Sequence, residues 1–212
     1  MSSNYEQHGR TSQKSRTREA LLAATRSLLA DGQTPTVEDA AASASVSRAT
    51  AYRYFPNALS LLRAAHPEMD ASTMLPSEAS DDPAERLDAV VTSFTEMIVR
   101  TEAQQRAMLR LSLESDPGER GALPLRQGRA IGWFLEALEG VGVEMSEGEL
   151  RRLVYAVRAT TGIEALVWLT DIAGLTRTEA VALMRWTAQA ILERSLHTPP
   201  PTSRAGMRKK AK

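Results

Sequence analysis

The chain has 212 residues, of which 42% are apolar and 25% charged, and its formal net charge is zero. This length and composition are those of an ordinary globular protein with one or two compact parts. The absence of cysteine excludes disulfides and thiol chemistry, and the three isolated histidines lack the spacing of a metal site. The polar N-terminus lacks a signal peptide's apolar segment, and no apolar run is long enough to span a membrane. We therefore expect a cytoplasmic protein without a cofactor.

The neutral total hides an uneven distribution of charge. Residues 1–62 carry seven Lys or Arg and five Asp or Glu, whereas residues 63–203 carry 14 and 21. Residues 204–212 carry five basic residues and no acid. A polyanion is therefore expected to bind near the ends of the chain and not its middle. The alternative, for the tail in particular, is a basic segment that is simply solvated.

Four helices are predicted in the first third of the chain, at about residues 17–30, 37–43, 48–54 and 57–66. Asp31-Gly32 ends the first helix. Thr36 caps the second, with Asp39 in the acidic position of a capping box, and Ser47 caps the third. Two short helices joined by a tight turn, behind a longer helix, are typical of a helix-turn-helix.

The third helix is too short and too polar to serve mainly as core. Its exposed face carries Arg48, Thr50 and Arg53, which are suited to guanine edges and phosphate oxygens. Tyr52 and Tyr54 have rigid rings that can pack on the domain while their hydroxyls reach phosphates. This pattern predicts a recognition helix for DNA. Phe55 has no polar group and is assigned to the core, as is Val46 of the turn.

The stretch TVEDAA, from Thr36 to Ala41, and the stretch ASVSRATAYRYF, from Ala44 to Phe55, resemble the DNA-binding signature of the tetracycline-repressor (TetR) family. The likeness covers about residues 17–62. It implies an all-helical, homodimeric bacterial transcription regulator, usually a repressor, that a small ligand releases from its operator. By position it implies phosphate contacts for Thr36, Tyr52 and Tyr54, and base-edge contacts for Arg48, Ala49, Thr50 and Arg53. Ser47 completes the predicted DNA-binding set.

Two residues depart from that signature. Ser45 stands where the family usually has glycine, at a modest cost if the turn needs positive φ. Ala58 stands where the family commonly has a lysine that caps the next helix toward a phosphate. The basic residues before the first helix are expected to compensate: Arg10, Lys14, Arg16 and Arg18.

Five further helices are predicted between residues 82 and 196. Asp82-Pro83 opens the fifth, Ser146 with Glu149 opens an eighth that runs to about Ile172, and Thr178 caps a ninth that runs to about Ser195. The eighth and ninth helices are apolar around most of their circumference, which predicts a homodimer through these two helices. The alternative is a larger monomeric bundle that buries both faces.

A ligand site is predicted among large side chains of helices 5 to 8, and its expected occupant is a small, mostly apolar molecule. The candidates are Phe94, Met97, Met108, Trp133, Phe134, Tyr155 and Trp168. The alternative for each is ordinary core. Helix 4 is expected to transmit ligand binding to the DNA-binding part. No nucleotide-binding loop, nucleophile motif or histidine pair indicates an enzyme.

The sequence thus predicts an all-α protein with an N-terminal helix-turn-helix domain and a C-terminal helical domain for ligand binding and dimerisation. Its predicted parts are a flexible basic arm (1–16), the DNA-binding domain (17–66), the regulatory domain (82–196) and a disordered basic tail (197–212). The predicted function is ligand-responsive transcriptional regulation, most often repression, by a dimer on a palindromic operator. The alternatives are a helical protein-interaction adaptor and a constitutive regulator without a ligand.

Overall fold

The computed structural model of the chain describes residues 3–65, 71–114, 129–139, 141 and 145–201, with side chains described from Ser12 onward. Within these residues the chain is helical and has no β-strand, as predicted. The helices are α1 (Ser3–Ala30), α2 (Val37–Ser43), α3 (Arg48–Tyr54), α4 (Ala58–Ala64), α5 (Pro83–Arg100), α6 (Glu102–Glu114), α7 (Arg129–Ala137), α8 (Glu147–Thr161), α9 (Ile163–Val167) with a π-helical continuation (Trp168–Ile172), and α10 (Arg177–His197).

The chain divides into two compact units. Unit 1 consists of Met1–Ala71 and Thr101–Gln127, and unit 2 of Ser72–Arg100 and Gly128–Lys212. The structure therefore differs from the predicted domain boundaries at α6, because α6 lies inside the predicted regulatory domain but belongs to unit 1.

Two clusters of buried residues form the core of unit 1. The larger cluster contains residues of α1, α2, α3 and α4 and the residues just after α3 and α4. Its members are Leu21, Leu22, Val37, Ala40, Ala41, Ala51, Phe55, Leu61 and Ala65. The smaller brings Ala107 and Met108 of α6 against Leu29 and Leu62. The side-chain nitrogen of Gln104 also donates to the carbonyl oxygen of Leu62 at 2.8 Å. These contacts explain why α6 joins unit 1.

In unit 2, α5 packs against α7 and α10, and α8 packs against α7, α9 and α10. The fully buried side chains include Leu87, Val90, Val91, Phe134, Leu138, Leu153, Val154, Val157, Leu166, Ala180 and Ala188. Polar side chains add links between helices. Arg185 of α10 binds both carboxylate oxygens of Asp88 of α5, at 2.9 and 2.5 Å. Arg86 donates to the carbonyls of Glu136 and Ala137 at the end of α7.

Most predicted helix ends are confirmed. Thr36 and Ser146 form reciprocal capping boxes with Asp39 and Glu149, respectively. Ser47 caps α3, and the Asp82 carboxylate accepts from the Glu85 main chain at the start of α5. The predicted stop after α1 contains Gly32, with φ of +76°, and Gly174, with φ of +75°, follows the π-helical segment. These values suit glycine because it lacks a Cβ.

The start of α1 differs from the prediction. The predicted flexible arm, residues 1–16, is helical from Ser3, so α1 begins well before Thr17. The prediction relied on apolar spacing, which begins near Leu21. The preceding residues contain no proline and only one glycine, Gly9, so their backbone has little to stop a helix. At the other end, α10 runs to His197, and residues 202–212 of the predicted disordered tail lie outside the described residues.

The last two predicted helices also differ from the structure. The predicted eighth helix is interrupted at Gly162, whose extended backbone (φ −87°, ψ −179°) separates α8 from α9. A Cβ at this position would overlap the ends of the Arg158 and Glu164 side chains, so a larger residue would require these two flexible side chains to move. The cap of α10 is Thr176 and not Thr178. Thr176 has Glu179 three residues later and completes a capping box, whereas Thr178 has Val181 there.

Candidate nucleic-acid interface

α2 and α3 are held by caps at their first turns. The Thr36 hydroxyl accepts from the Asp39 main-chain nitrogen at 3.1 Å and donates to the Asp39 carboxylate at 2.7 Å. The Ser47 hydroxyl accepts from the Thr50 main chain and donates to the Thr50 hydroxyl. Thr36 and Ser47, both predicted to bind DNA, are exposed but already serve as caps. Their hydroxyl oxygens retain lone pairs, whereas their protons are committed inside the protein.

The turn between the two helices contains a backbone conformation that is unfavourable for its residue. Ser45 has φ of +54°, the one positive value among the described non-glycine residues. This confirms that the turn needs the geometry for which glycine is the usual residue. The turn is closed by the Val46 main-chain nitrogen, which donates to the Ala41 oxygen at 2.9 Å. Val46 packs against the core of unit 1, as predicted.

α3 buries one narrow face and exposes the rest. Ala51 is fully buried and Phe55, just after the helix, is nearly so, which confirms the prediction for Phe55. Arg48, Ala49, Tyr52 and Arg53 are exposed, and Thr50 and Tyr54 are half-buried. The Arg53 guanidinium lies 5.9 Å from the Tyr54 ring centre. Tyr54 in turn packs on the core beside Phe55. The helix is therefore anchored by small and aromatic groups and presents its basic side chains outward.

A carboxylate of α2 joins the two largest groups on the outer face of α3. The same oxygen of Glu38, Oε1, accepts from the Tyr52 hydroxyl at 2.6 Å and pairs with Arg48 Nη2 at 2.7 Å. The Arg48 guanidinium also lies 5.7 Å from the centre of the Tyr52 ring. We call these three residues, Glu38, Arg48 and Tyr52, the Glu38 clasp. The sequence interpretation missed Glu38, because an acid in the first turn of a helix is already explained by the helix dipole.

The clasp changes the acidity of two of its members. The hydrogen bond from Tyr52, and to a lesser degree the charge of Arg48, lowers the pKa of Glu38 below its ordinary 4.5. The same hydrogen bond raises the pKa of Tyr52 above 10.0, because its proton is held by a carboxylate. At neutral pH the Glu38 carboxylate is therefore charged and the Tyr52 phenol is neutral.

α4 begins directly after this surface. Its cap is Asn57, whose side chain accepts from the Ser60 main chain at 2.8 Å. Ala58 is the first residue of α4 and is half-buried. The site at which the family signature has a lysine is thus the first residue of a seven-residue helix.

The predicted ligand-binding residues belong to both units. In unit 2, Phe94 packs edge-on against Phe134 at 5.5 Å between ring centres and lies 6.1 Å from Trp133. Met97 is buried on the same helix as Phe94, and the Arg158 guanidinium lies 5.6 Å from the Phe94 ring centre. Three candidates lie elsewhere.

Met108 belongs to the core of unit 1, and its place in a ligand site stays a prediction. Its apolar spacing in α6 reflects contacts with Leu29 and Leu62. Tyr155 and Trp168 are exposed on unit 2. In a single sequence, a large side chain at helical spacing does not reveal which of two units its helix joins.

Within the described residues, no group of three or more His, Asp or Glu side chains is arranged to hold a metal ion. No helix in the described ranges is long and apolar enough to cross a membrane.

Comparison with known proteins places the fold. No protein-family model and no curated protein matches the sequence. Among solved structures, the chain is similar to a TetR transcriptional regulator from Rhodococcus sp. RHA1. The TM-score is 0.56 with 19% sequence identity, over 85% of this chain and 98% of the other. This chain has the TetR fold. Within the TetR fold of this chain, α2, the Ser45 turn and α3 form the helix-turn-helix predicted from Thr36 to Phe55.

Proposed function

We propose that this chain is a transcriptional regulator that binds double-stranded DNA as a homodimer, with α3 in the major groove. The observation that carries this proposal is α3 itself. It is a seven-residue helix, capped by Ser47 and anchored through Ala51, whose outer face bears Arg48 and Arg53. So short a helix adds little to the core, and its exposed basic residues are the type that reads guanine edges and binds phosphates.

The DNA contact proposed for each residue follows from the exposure of its side chain and from the hydrogen-bond donors that the protein leaves unused. Arg48 has 73% of its side chain exposed and five N–H donors, so it can bind a base edge while one donor pairs with Glu38. Arg53, exposed and lying over the Tyr54 ring, is assigned to a base edge or an adjacent phosphate. The helix start at Ala58 is assigned to a phosphate. Thr36, Ser47, Ala49, Thr50 and Tyr54 complete the proposed contact surface.

Dimerisation is proposed through α9, its π-helical continuation and α10. Six of the eight large apolar side chains that are exposed in the described part of the chain lie between residues 155 and 196. Trp168, Ile172 and Trp186 are the most exposed of these, at 59%, 72% and 67%. Exposed apolar residues concentrated in one region are typical of a protein interface. Ile163, by contrast, is buried within unit 2 and is left out of the proposed interface.

We further propose that a small apolar ligand controls this regulator. Binding of the ligand lowers the affinity for the operator and so relieves repression. This proposal is supported by the aromatic cluster of Phe94, Trp133 and Phe134 in unit 2 and by the Arg158 guanidinium beside it. An arginine next to an apolar aromatic group suits a ligand with an apolar body and one polar or anionic end.

The proposal is tested by selecting DNA fragments of the source genome that the purified protein retains, followed by gel-shift titration of the enriched sequence. We expect a palindromic sequence bound by a dimer, with an affinity that falls steeply with salt. Enrichment of no sequence, together with capture of a specific protein through unit 2, would favour a helical interaction adaptor. Specific DNA binding that no apolar compound changes would favour a constitutive regulator.

A further inference from the structure

The Glu38 clasp places a negative charge on a surface proposed to face a polyanion. Glu38 lies in the first turn of α2 and has 36% of its side chain exposed. Asp39 beside it is engaged as the Thr36 cap partner, whereas the Glu38 carboxylate contacts Tyr52 and Arg48. A free carboxylate there would repel phosphates at a cost to affinity. The helix dipole explains an acid at this position, but it does not explain the contacts of Glu38 with Arg48 and Tyr52.

We propose that Glu38 is a specificity-determining residue of the DNA interface, which weakens binding to non-operator DNA by neutralising and orienting Arg48 and by occupying the Tyr52 hydroxyl proton. This inference rests on the proposed function and concerns the same surface. It assigns Glu38 a role in discrimination, not in affinity.

The charge of Arg48 is the first reason. Binding to non-operator DNA comes almost entirely from Lys and Arg contacts with phosphates, which release counterions. The Glu38 carboxylate lies 2.7 Å from Arg48 Nη2, so the pair presents almost no net charge to a phosphate. Arg53 differs, because within the described part of the chain no carboxylate pairs with it. Glu38 thus removes about one phosphate contact from the non-operator complex.

The orientation of Arg48 is the second reason. The guanidinium is fixed on one side by the Glu38 oxygen and lies over the Tyr52 ring. A planar guanidinium that is already held in one position loses less conformational freedom than a mobile one when it binds two acceptors of a guanine edge. A phosphate, which accepts from many directions, gains less from such orientation. The clasp therefore favours base contacts over backbone contacts.

The Tyr52 hydroxyl is the third reason. Its proton points to Glu38 at 2.6 Å, and a phenol has only one proton to donate. Phosphate oxygens are acceptors, so Tyr52 can donate to a phosphate only after its bond to Glu38 breaks. Glu38 thereby makes this backbone contact conditional on a rearrangement that a well-fitted operator can drive. Non-operator DNA makes fewer contacts with the protein and therefore favours this rearrangement less.

The test compares wild type with Glu38→Gln and Glu38→Asp, on the enriched operator and on a scrambled duplex of equal length. Glu38→Gln keeps the shape of the side chain and removes its charge. We expect Glu38→Gln to bind the scrambled duplex roughly five- to tenfold more tightly at about 0.1 M salt, with a salt slope steeper by about one phosphate contact. Operator affinity should change less, so the operator-to-scrambled ratio should fall.

Glu38→Asp keeps the charge but shortens the side chain by one methylene, so it should lose the hydrogen bond to Tyr52 and retain part of the discrimination. The matched control is Glu147→Gln, which removes the carboxylate of another exposed arginine pair, with Arg151, in unit 2. It should leave both affinities and both slopes unchanged.

The possible outcomes separate this inference from the proposed function. If wild type prefers its operator but Glu38→Gln leaves scrambled-duplex affinity and its salt slope unchanged, or weakens both duplexes equally, the inference is overturned. Loss of operator binding alone in Glu38→Gln would also overturn it, because Glu38 would then read a base directly. If wild type binds no duplex with sequence preference, the proposed function itself fails.

Discussion

The side-chain nitrogen of Gln104 donates to the main-chain oxygen of Leu62 at 2.8 Å, and this bond ties α6 to the last turn of α4. The Leu62 oxygen lies near the C-terminus of α4, where carbonyls lack partners within the helix. Gln104 is 1% exposed, and its own side-chain oxygen has no hydrogen-bond partner among the described residues. In this buried amide only the nitrogen is bonded within those residues, to the Leu62 oxygen and to the Met108 sulfur at 3.3 Å.

Replacing Gln104 with leucine should destabilise the protein, because it leaves a buried carbonyl without a donor. The expected loss is about 1–3 kcal/mol of unfolding free energy. Urea denaturation followed by circular dichroism measures it. Gln13→Leu, at an exposed position of α1, is the control and should change the unfolding free energy by less than about 0.5 kcal/mol. Equal stability of Gln104→Leu and wild type would show that the bond does not hold α6 to α4.

Ser45→Gly should stabilise the chain, because glycine adopts φ of +54° without a Cβ clash. The left-handed conformation costs a non-glycine residue about 1–2 kcal/mol, and the extra freedom of glycine in the unfolded chain offsets about 0.5–1 kcal/mol of that. A net gain of up to about 1.5 kcal/mol is expected in thermal or urea unfolding. Ser43→Gly, in the last turn of α2, should be destabilising by a similar amount. A loss of stability in Ser45→Gly would contradict the strain assigned to this turn.

Ala58→Lys should strengthen DNA binding, since it adds a cation at the start of α4. One added phosphate contact should steepen the salt dependence of affinity by roughly 0.9 in log-log slope, for operator and scrambled DNA alike. Fluorescence anisotropy over a series of salt concentrations gives the slopes. Ala159→Lys, at an exposed position of α8, adds the same charge in unit 2 and should leave the slope unchanged. Equal slopes for Ala58→Lys and wild type would show that the start of α4 does not contact a phosphate.

Trp186→Arg should convert the proposed dimer to a monomer, because it places an unpaired charge in a buried apolar interface. Sedimentation velocity at micromolar concentration should show the change, with circular dichroism showing that helix content is retained. Thr178→Arg, also exposed on α10, should remain dimeric. A wild-type protein that sediments as a monomer and still binds a palindrome tightly would rule out the dimer proposal.

The Glu38 clasp should give unit 1 a pH-dependent contribution to stability. The pKa of Glu38 is lowered in the folded state, so its contribution is present above pH 4.5 and is lost as the pH falls through the lowered pKa. The pKa of Tyr52 is raised, so its contribution is present below pH 10.0 and is lost as the pH rises through the raised value.

The difference in unfolding midpoint between wild type and Glu38→Gln measures the acid side of this dependence. It should be constant near neutral pH and shrink below pH 4.5. Asp39, whose pKa is lowered by its bonds to Thr36, titrates in both proteins and therefore cancels. A difference that does not change with pH would show that Glu38 does not act through its charge.

Local signals predicted much of this structure. Capping boxes at Thr36 and Ser146, the cap at Ser47 and the glycine stops lie within a few residues of the ends they set, so sequence reveals them. The break at Gly162 had a visible signal as well, because Thr160 and Thr161 precede a glycine within a helical run. The longer apolar pattern around them favoured one continuous helix.

Contacts between distant residues were not predictable in the same way. Met108 of α6 shares a buried cluster with Leu62 of α4, and Tyr52 of α3 bonds to Glu38 of α2, because the fold brings residues of separate helices together. The spacing of apolar residues in α6 does not indicate which unit the helix joins. Nothing around Glu38 distinguishes an acid that favours a helix start from one that holds an arginine and a tyrosine.

The central claim is that α3 reads DNA sequence through Arg48. Its most direct test is a gel-shift series in which wild type and Arg48→Ala are titrated with the genome-selected operator and with variants changed at single base pairs. The account predicts that Arg48→Ala loses about 1–3 kcal/mol of preference at one base pair in each half-site and keeps its affinity for scrambled DNA within a few-fold. Arg48→Ala that retains both the operator affinity and the base preference of wild type would contradict it.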